Sequence, residues 1–221
     1  KTVINYYFDK YLLKSNVIID LGSGSNHYTI DLSLRNIDKN FFALDWSNNS
    51  NNIINEANKK LAINITPVKF NMFDPFNQNF EVNKSSSVYT VGSLEQLGTS
   101  YDKILKWFLI SDFDYVMNIE PIYEFYDLDK SFDLVAAKYI EKRNWLSGYY
   151  SSLLDLEKKG IIKILEKTDR EYTINRYNRL VPLEIDTDVI NINNIPTKTI
   201  VVLFSRIKCI NISNNKLYLL L

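Results

Sequence analysis

Short apolar runs alternate with longer segments in which apolar residues recur at helical spacing. The first such run, Val17 to Leu21, ends at Gly22-Ser23-Gly24, and an amphipathic stretch from Tyr28 to Arg35 follows it. Apolar runs that end at turn residues predict buried strands, and recurrence every three to four positions predicts helices packed on those strands. Strands that alternate with helices indicate an α/β fold with parallel strands.

The same pattern continues to residue 204 and predicts seven strands in all. The further strands are Phe41 to Leu44, Thr66 to Phe70, Val88 to Val91, Tyr115 to Ile119, Ile161 to Leu165 and Thr199 to Phe204. The further helices are Val3 to Leu13, a segment capped by Ser47 or Asn48 that carries Ile53 to Leu61, Ile104 to Leu109, and Ser131 to Lys159. We therefore expect a three-layer sandwich with a mostly parallel seven-stranded sheet and a small C-terminal β extension.

Length and composition favour one domain of 221 residues. We divide it into a leading helix (1–14), a core (15–206) and a hairpin or tail (207–221). Lys plus Arg and Asp plus Glu both number 26, so no net field attracts nucleic acid. The single cysteine cannot form an internal disulfide, and the start contains no uninterrupted apolar run. We expect a cytoplasmic monomer or homodimer without membrane insertion.

Polar residues and glycines follow the first three predicted strands, at the edge where α/β folds bind ligands. Asp20 precedes the turn Gly22-Ser23-Gly24, whose glycines let the backbone turn sharply and approach a ligand. A dinucleotide-binding fingerprint would need a third glycine where the sequence has His27. Asp45 ends the second strand, and its carboxylate can accept two hydrogen bonds from a ribose diol. The third strand is followed by Asn71 to Pro75.

These three strand ends resemble, in the same order, the cofactor motifs of the class I S-adenosylmethionine-dependent methyltransferases, whose fold is Rossmann-like. The resemblance implies that Asp20 helps to hold the amino-acid part of the cofactor and that Asp45 binds both ribose hydroxyls. Trp46 either stacks on the adenine or belongs to the core. Asn71 or Asp74 would accept from the adenine amine. The cofactor site implied in this way comprises Asp20, Gly22, Ser23, Gly24, Asp45, Trp46, Asn71, Met72, Asp74, Gly92 and Ser93.

The predicted ends of strands four and five carry the candidates for acceptor chemistry. Methyl transfer requires an aligned acceptor and, for a hydroxyl acceptor, a base that removes its proton. Glu95 is the first candidate for this base, Glu120 is the second, and His27 is the third. Each of them could instead be an exposed, salt-bridged or capping residue. The predicted acceptor contacts are Gln96, Glu124, Tyr126, Tyr139 and Arg143, although an arginine on a solvated face would serve no ligand.

The preferred hypothesis is metal-free transfer from S-adenosylmethionine, with S-adenosylhomocysteine as product, to an oxygen of a small sugar or phosphate-type acceptor. The segments Ser93 to Gln96, Ile119 to Pro121 and Tyr139 to Gly148 look similar to methyltransferases encoded with bacterial surface-glycan pathways, which implies a capsule or surface-glycan intermediate. An NAD-linked or nucleotide-sugar oxidoreductase and a catalytically silent cofactor-binding scaffold are the alternatives. An amino-directed nucleic-acid methyltransferase is disfavoured because no Asn-Pro-Pro-Tyr or Asp-Pro-Pro-Tyr segment follows strand four.

Overall fold

A computed structural model describes residues 2–82, 85–170 and 199–206. The strands are β1 (Val17–Leu21), β2 (Asn40–Asp45), β3 (Ile65–Lys69), β4 (Ser86–Val91), β5 (Tyr115–Glu120), β6 (Ile162–Arg170) and β7 (Thr199–Arg206). The helices are α1 (Thr2–Lys10), α2 (His27–Arg35), α3 (Asn48–Leu61), α4 (Asp102–Ile110), α5 (Ser131–Arg143) and α6 (Tyr149–Lys158). The predicted hairpin over 207–221 lies outside the described residues.

The seven described strands form one sheet in the order β3-β2-β1-β4-β5-β7-β6. β1 pairs in parallel with both β2 and β4, and only β7 runs antiparallel to its neighbours β5 and β6. The prediction of a mostly parallel seven-stranded sheet is therefore confirmed. Because successive strands are added on one side of β1 and then on the other, a crevice forms between the carboxyl ends of β1 and β4.

Helices cover both faces of the sheet, which explains why β1 is an unbroken apolar run apart from Asp20. Ile19 belongs to the same buried cluster as Ile104 of α4 and Leu153 of α6. Ile18 points to the opposite face and belongs to a second cluster that includes Phe8 of α1. A parallel strand that is buried on both faces needs apolar side chains at successive positions rather than at alternate ones. Among the described helices, none combines the length and apolar content that crossing a bilayer requires.

The long helix predicted from Ser131 to Lys159 is wrong, because the structure divides it into α5 and α6. Asn144 ends α5 in a left-handed conformation with φ 52°, and Gly148 starts α6 with φ 78°. Between them Leu146 enters the main core fully buried, and its carbonyl accepts a hydrogen bond from the Tyr123 N–H at 3.1 Å. A continuous helix would place neither group there, so tertiary packing overrides the helical periodicity.

Candidate functional site

A cavity of about 460 Å³ opens at the carboxyl ends of β1 to β4, within the size range of small-molecule sites. Ten of the eleven residues predicted to hold a cofactor line this cavity, and Asp74 is the exception. The predicted acceptor-side residues His27 and Gln96 also line it. The structure thus brings the three strand ends together, while the roles of their residues toward a ligand stay predictions.

The turn after β1 is held against the two neighbouring strands. The N–H groups of Gly22 and Ser23 both donate to the Leu44 carbonyl, at 2.7 and 3.1 Å. Gly22 has φ 75°, and a Cβ built on it would lie 2.4 Å from the Ser93 Cβ. Ser93 in turn donates its hydroxyl to the Leu21 carbonyl at 2.8 Å. Only glycine therefore fits at position 22, where the β1 turn contacts the loop after β4.

Asp45 is buried, with 7% of its surface exposed, and each of its oxygens accepts one main-chain N–H. Oδ2 accepts from Gly24 and Oδ1 from Ser47, both at 2.8 Å. An ionised carboxylate has about four acceptor sites, so each oxygen can accept one further hydrogen bond. Two neighbouring acceptors fixed in this way match the two hydroxyls of a vicinal diol.

Trp46 lies on the rim of the cavity rather than in the core. It lines the cavity with 74% of its surface exposed, so the interpretation of Trp46 as a core tryptophan is wrong. Phe73, which the sequence analysis did not single out, lines the same cavity and is 52% exposed. Large exposed aromatic rings around a cavity are typical of ligand sites, because their faces are available for stacking. The only signal for Phe73 in the sequence was its position just after β3.

Asp20 lines the cavity at the end of β1 and is 4% exposed. Its Oδ2 accepts a hydrogen bond from the Thr29 hydroxyl, which lies 3.1 Å from the hydroxyl of Tyr89. Burial raises the pKa of Asp20 from 3.8 to about 6; hydrogen bonds from Thr29 and Tyr89 oppose this shift, and the charge of Asp45 adds to it. The carboxyl group is therefore ionised at neutral pH at a cost to stability.

We expect Asp20→Asn to raise the free energy of unfolding near neutral pH. Between pH 3.8 and about 6 the folded protein keeps a proton on Asp20 that the unfolded chain has lost, so stability falls as the pH rises through this window. The total cost is about 3 kcal/mol at ~1.4 kcal/mol per unit. Denaturant unfolding at several pH values should show the largest gain for the variant above pH 6 and little difference below pH 3.8. An equal pH slope in both proteins would contradict the assignment.

The charge of the cavity wall is negative. Among its described lining residues are the carboxylates Asp20 and Asp45 and a single histidine, and there is no Lys or Arg. Coulomb interactions are strong where water is partly excluded, so this wall favours a cationic ligand over a polyphosphate. A phosphate site would commonly present Arg or Lys, which the described lining residues do not include.

Neither predicted glutamate base has its side chain in the cavity wall. Glu120 is fully buried, and its carboxylate accepts main-chain N–H groups of the loop after β4. Glu95 belongs to that loop, but its side chain is absent from the lining, whereas its neighbours Gln96 and Leu97 contribute to it. His27 is the one predicted base in the wall, with its Nδ1 2.9 Å from the Ser25 hydroxyl.

Asp74 lies outside the wall. Its side chain accepts from the Asn77 amide at 2.6 Å and forms an exposed ion pair with Lys103 at 3.4 Å. Its predicted contact with adenine is therefore not supported by its position. Asn71, the other candidate for this contact, lines the cavity, but its Oδ1 already accepts from the Phe73 N–H at 3.0 Å.

The other predicted acceptor contacts also lie outside the cavity wall. Glu124 Oε1 accepts from the Ser151 N–H at 3.2 Å, at the start of α6. Tyr126 is buried in a small cluster against α5. Arg143 donates from Nε to the Tyr139 hydroxyl at 3.1 Å and lies over the same ring. These residues were selected because they follow β5 or share a helix, which does not determine whether they reach the cavity.

No family model and no curated protein matches the sequence. Solved structures do match the fold. A SAM-dependent methyltransferase from Aquifex aeolicus is similar with 16% identity and a TM-score of 0.57, over 92% of this chain and 88% of that chain. A putative sarcosine dimethylglycine methyltransferase from Galdieria sulphuraria is similar with 15% identity and a TM-score of 0.61, over 92% of this chain and 83% of that chain.

A third similar structure is the O-methyltransferase NcsB1 from neocarzinostatin biosynthesis, solved with S-adenosylmethionine and 2-hydroxy-5-methyl naphthoic acid. It shares 11% identity with a TM-score of 0.57, over 93% of this chain and 56% of that chain. Identities this low report the fold alone. The strand order, the antiparallel β7 and these neighbours identify the fold of this chain as the Rossmann-like fold of the class I S-adenosylmethionine-dependent methyltransferases.

Proposed function

We propose that this chain binds S-adenosylmethionine in the cavity at the carboxyl ends of β1 to β4 and transfers its methyl group to a small molecule. The observation that carries the proposal is the charge of the wall, with two carboxylates and no Lys or Arg among the described lining residues. S-adenosylmethionine is a cation, because its sulfonium charge adds to a zwitterionic amino acid. NAD carries a pyrophosphate, which the same wall would repel.

The residues present fit this ligand. Asp45 has one acceptor site left on each oxygen for the ribose hydroxyls, since its other sites hold Gly24 and Ser47. Trp46 and Phe73 offer exposed ring faces for the adenine. Asp20, once ionised, attracts the ammonium and sulfonium groups. When bound, S-adenosylmethionine would supply an electrophilic methyl group, and the protein has only to align an acceptor with it.

The proposed acceptor is an oxygen of a small molecule of the sugar or phosphate type. Gln96 and His27 are polar wall residues that the cofactor set does not use, and we assign them to this acceptor. His27 then takes the role of base that the sequence favoured for Glu95, because only His27 reaches the wall. The O-methyltransferase NcsB1 was solved with a small molecule, 2-hydroxy-5-methyl naphthoic acid, which supports a small-molecule acceptor but not the sugar or phosphate type. The surface-glycan pathway, the oligomeric state and the cytoplasmic location stay predictions from sequence.

Calorimetric titration of the protein with S-adenosylmethionine, S-adenosylhomocysteine and NAD tests the cofactor. We expect S-adenosylmethionine to bind most tightly, since the product lacks the sulfonium charge, and NAD to give no heat of binding. The affinity for S-adenosylmethionine should fall below pH 6 as Asp20 takes up a proton. Preferential binding of NAD would refute the proposal in favour of the oxidoreductase.

Catalysis is a separate test from cofactor binding. Incubation with S-adenosylmethionine and a mixture of small hydroxylated and phosphorylated metabolites should release S-adenosylhomocysteine and add a methyl mass to one component. We expect His27→Gln to lower this turnover while leaving cofactor affinity unchanged. Tight cofactor binding without any product across the mixture would favour the scaffold alternative.

A further inference from the structure

Glu120, the last residue of β5, is a buried titratable group near the cavity that does not line it. Its side chain is fully buried, and Oε1 accepts the N–H groups of Ser93 and Leu94 at 3.2 and 3.1 Å. Oε2 accepts the N–H of Glu95 at 3.1 Å. We infer that Glu120 is a positioning residue, which holds the loop from Gly92 to Glu95 in the shape that forms one wall of the cavity.

Among the described residues, only Glu120 provides acceptors for these three N–H groups. β4 ends at Val91, and Gly92 turns the chain with φ 60° into the short 3-10 helix Leu94–Leu97. The first N–H groups of a helix have no partner within it, and an unpaired buried N–H costs stability. Glu120 supplies acceptors for three successive residues, and these N–H groups in turn stabilise its buried charge.

A second layer of polar groups fixes Glu120 from inside the sheet. The Thr90 hydroxyl forms a hydrogen bond with the Glu120 carboxylate. Asn118 donates to Thr90 at 3.0 Å, and the buried Tyr149 hydroxyl donates to Asn118 at 2.8 Å. A buried network whose hydrogen bonds are all formed has one preferred geometry. It therefore fixes the position of the Glu120 carboxylate, to which the loop is hydrogen-bonded.

The loop reaches the proposed cofactor through Ser93. Ser93 lines the cavity and donates to the Leu21 carbonyl at 2.8 Å, directly before the Gly22 turn. A displaced Ser93 would therefore alter both the wall formed after β4 and the turn after β1. This inference rests on the proposed function, because it assigns Glu120 to the affinity of the same site.

The same geometry explains why Glu95 is a poor base. Burial and the charge of the adjacent Glu120 raise the pKa of Glu95. Burial also raises the pKa of Glu120, but its hydrogen bonds from Thr90 and three main-chain N–H groups favour its ionised form. Of this coupled pair, Glu95 keeps its proton near neutral pH, and a protonated carboxyl group cannot accept another.

Glu120→Gln tests the inference, because the amide keeps the shape but replaces one acceptor oxygen with a donor. In the free protein, amide hydrogen exchange of residues 92–97 should become about tenfold faster or more. The affinity for S-adenosylmethionine should fall about tenfold. Thr90→Val, which removes one donor to the carboxylate, should shift both quantities in the same direction by less, and it serves if Glu120→Gln does not fold.

Ser15→Ala is the matched control. Ser15 is fully buried and bonded to Asp114 at 2.8 Å and Ser87 at 2.7 Å, but it precedes β1 at the opposite edge of the sheet. It should lower stability without changing exchange in 92–97 or affinity. Unchanged exchange in Glu120→Gln, or changes equal to those of the control, would overturn the inference. Unchanged affinity would also overturn the inference, because the loop would then not shape the cofactor site.

Failure of the proposed function gives a different result. If the wild-type protein binds no S-adenosylmethionine, the proposed function is wrong and the assignment of Glu120 to cofactor affinity is wrong with it. The exchange measurement uses no ligand, so it still shows whether the carboxylate holds the loop.

Discussion

Gly22→Ala is expected to destabilise the protein by about 2 to 5 kcal/mol and to lower its unfolding temperature by roughly 10 °C. A side chain at φ 75° is strained, and its Cβ would lie 2.4 Å from the Ser93 Cβ and 2.7 Å from its hydroxyl. The turn after β1 and the loop after β4 must therefore move apart, and this movement would also open the cavity. Thermal unfolding and titration with S-adenosylmethionine measure both effects.

Gly92→Ala is the control that measures the cost of positive φ without a steric collision. Gly92 also has positive φ, at 60°, but a Cβ built there meets no atom within 4 Å. The Gly92 variant should lose only about 1 to 2 kcal/mol. Adding Ser93→Gly to Gly22→Ala should recover part of the lost stability, because the colliding atoms are gone. Equal losses for the two alanine variants would show that the contact between Gly22 and Ser93 does not matter.

Asp45→Asn is expected to weaken S-adenosylmethionine binding about 100-fold, with a smaller loss of stability. The amide keeps one acceptor oxygen, but its NH2 group faces a main-chain N–H donor of either Gly24 or Ser47. The variant loses one hydrogen bond to the charged carboxylate, which is worth about 1.5 to 3 kcal/mol. It also loses the attraction between this carboxylate and the cationic ligand. Calorimetric titration measures the change directly.

Two further aspartates make the Asp45 experiment specific. Asp155 is exposed on α6 and pairs with Lys158, so Asp155→Asn should leave affinity unchanged. Asp74→Asn distinguishes the sequence interpretation from the structure, since Asp74 was predicted to contact adenine but lies outside the wall. We expect no loss of affinity for this variant. A loss as large as that of Asp45→Asn would restore Asp74 to the cofactor site.

The sheet and the cofactor side of the cavity could be predicted because both follow from local sequence. Unbroken apolar runs indicate strands buried on both faces, and parallel strands present all their carboxyl ends at one edge. Asp20 and Asp45 therefore had to approach each other once the strands were recognised. The division between α5 and α6 was missed, although Asn144 and Gly148 are residue types that commonly end helices, because helical spacing continues on both sides of the break. Only the structure shows that Leu146 enters the core there.

Most residues predicted for the acceptor side do not line the cavity, for a related reason. A position after a strand end indicates that a residue is near the crevice, but not which way its side chain points. Glu120 ends β5 and Glu95 follows β4, yet neither side chain lines the cavity, and the Glu120 carboxylate is enclosed by main-chain N–H groups. Loop direction depends on contacts with distant segments, and no local pattern encodes those contacts.

The sequence alone determined the class of fold, the order of its strands and the end of the sheet at which the candidate cavity lies, because periodicity and glycine turns act over a few neighbouring residues. Only the tertiary structure decided which carboxylates face the cavity and which support its walls. That choice depends on burial and on hydrogen-bond partners that are far apart in the chain, as between Glu120 and the loop after Gly92.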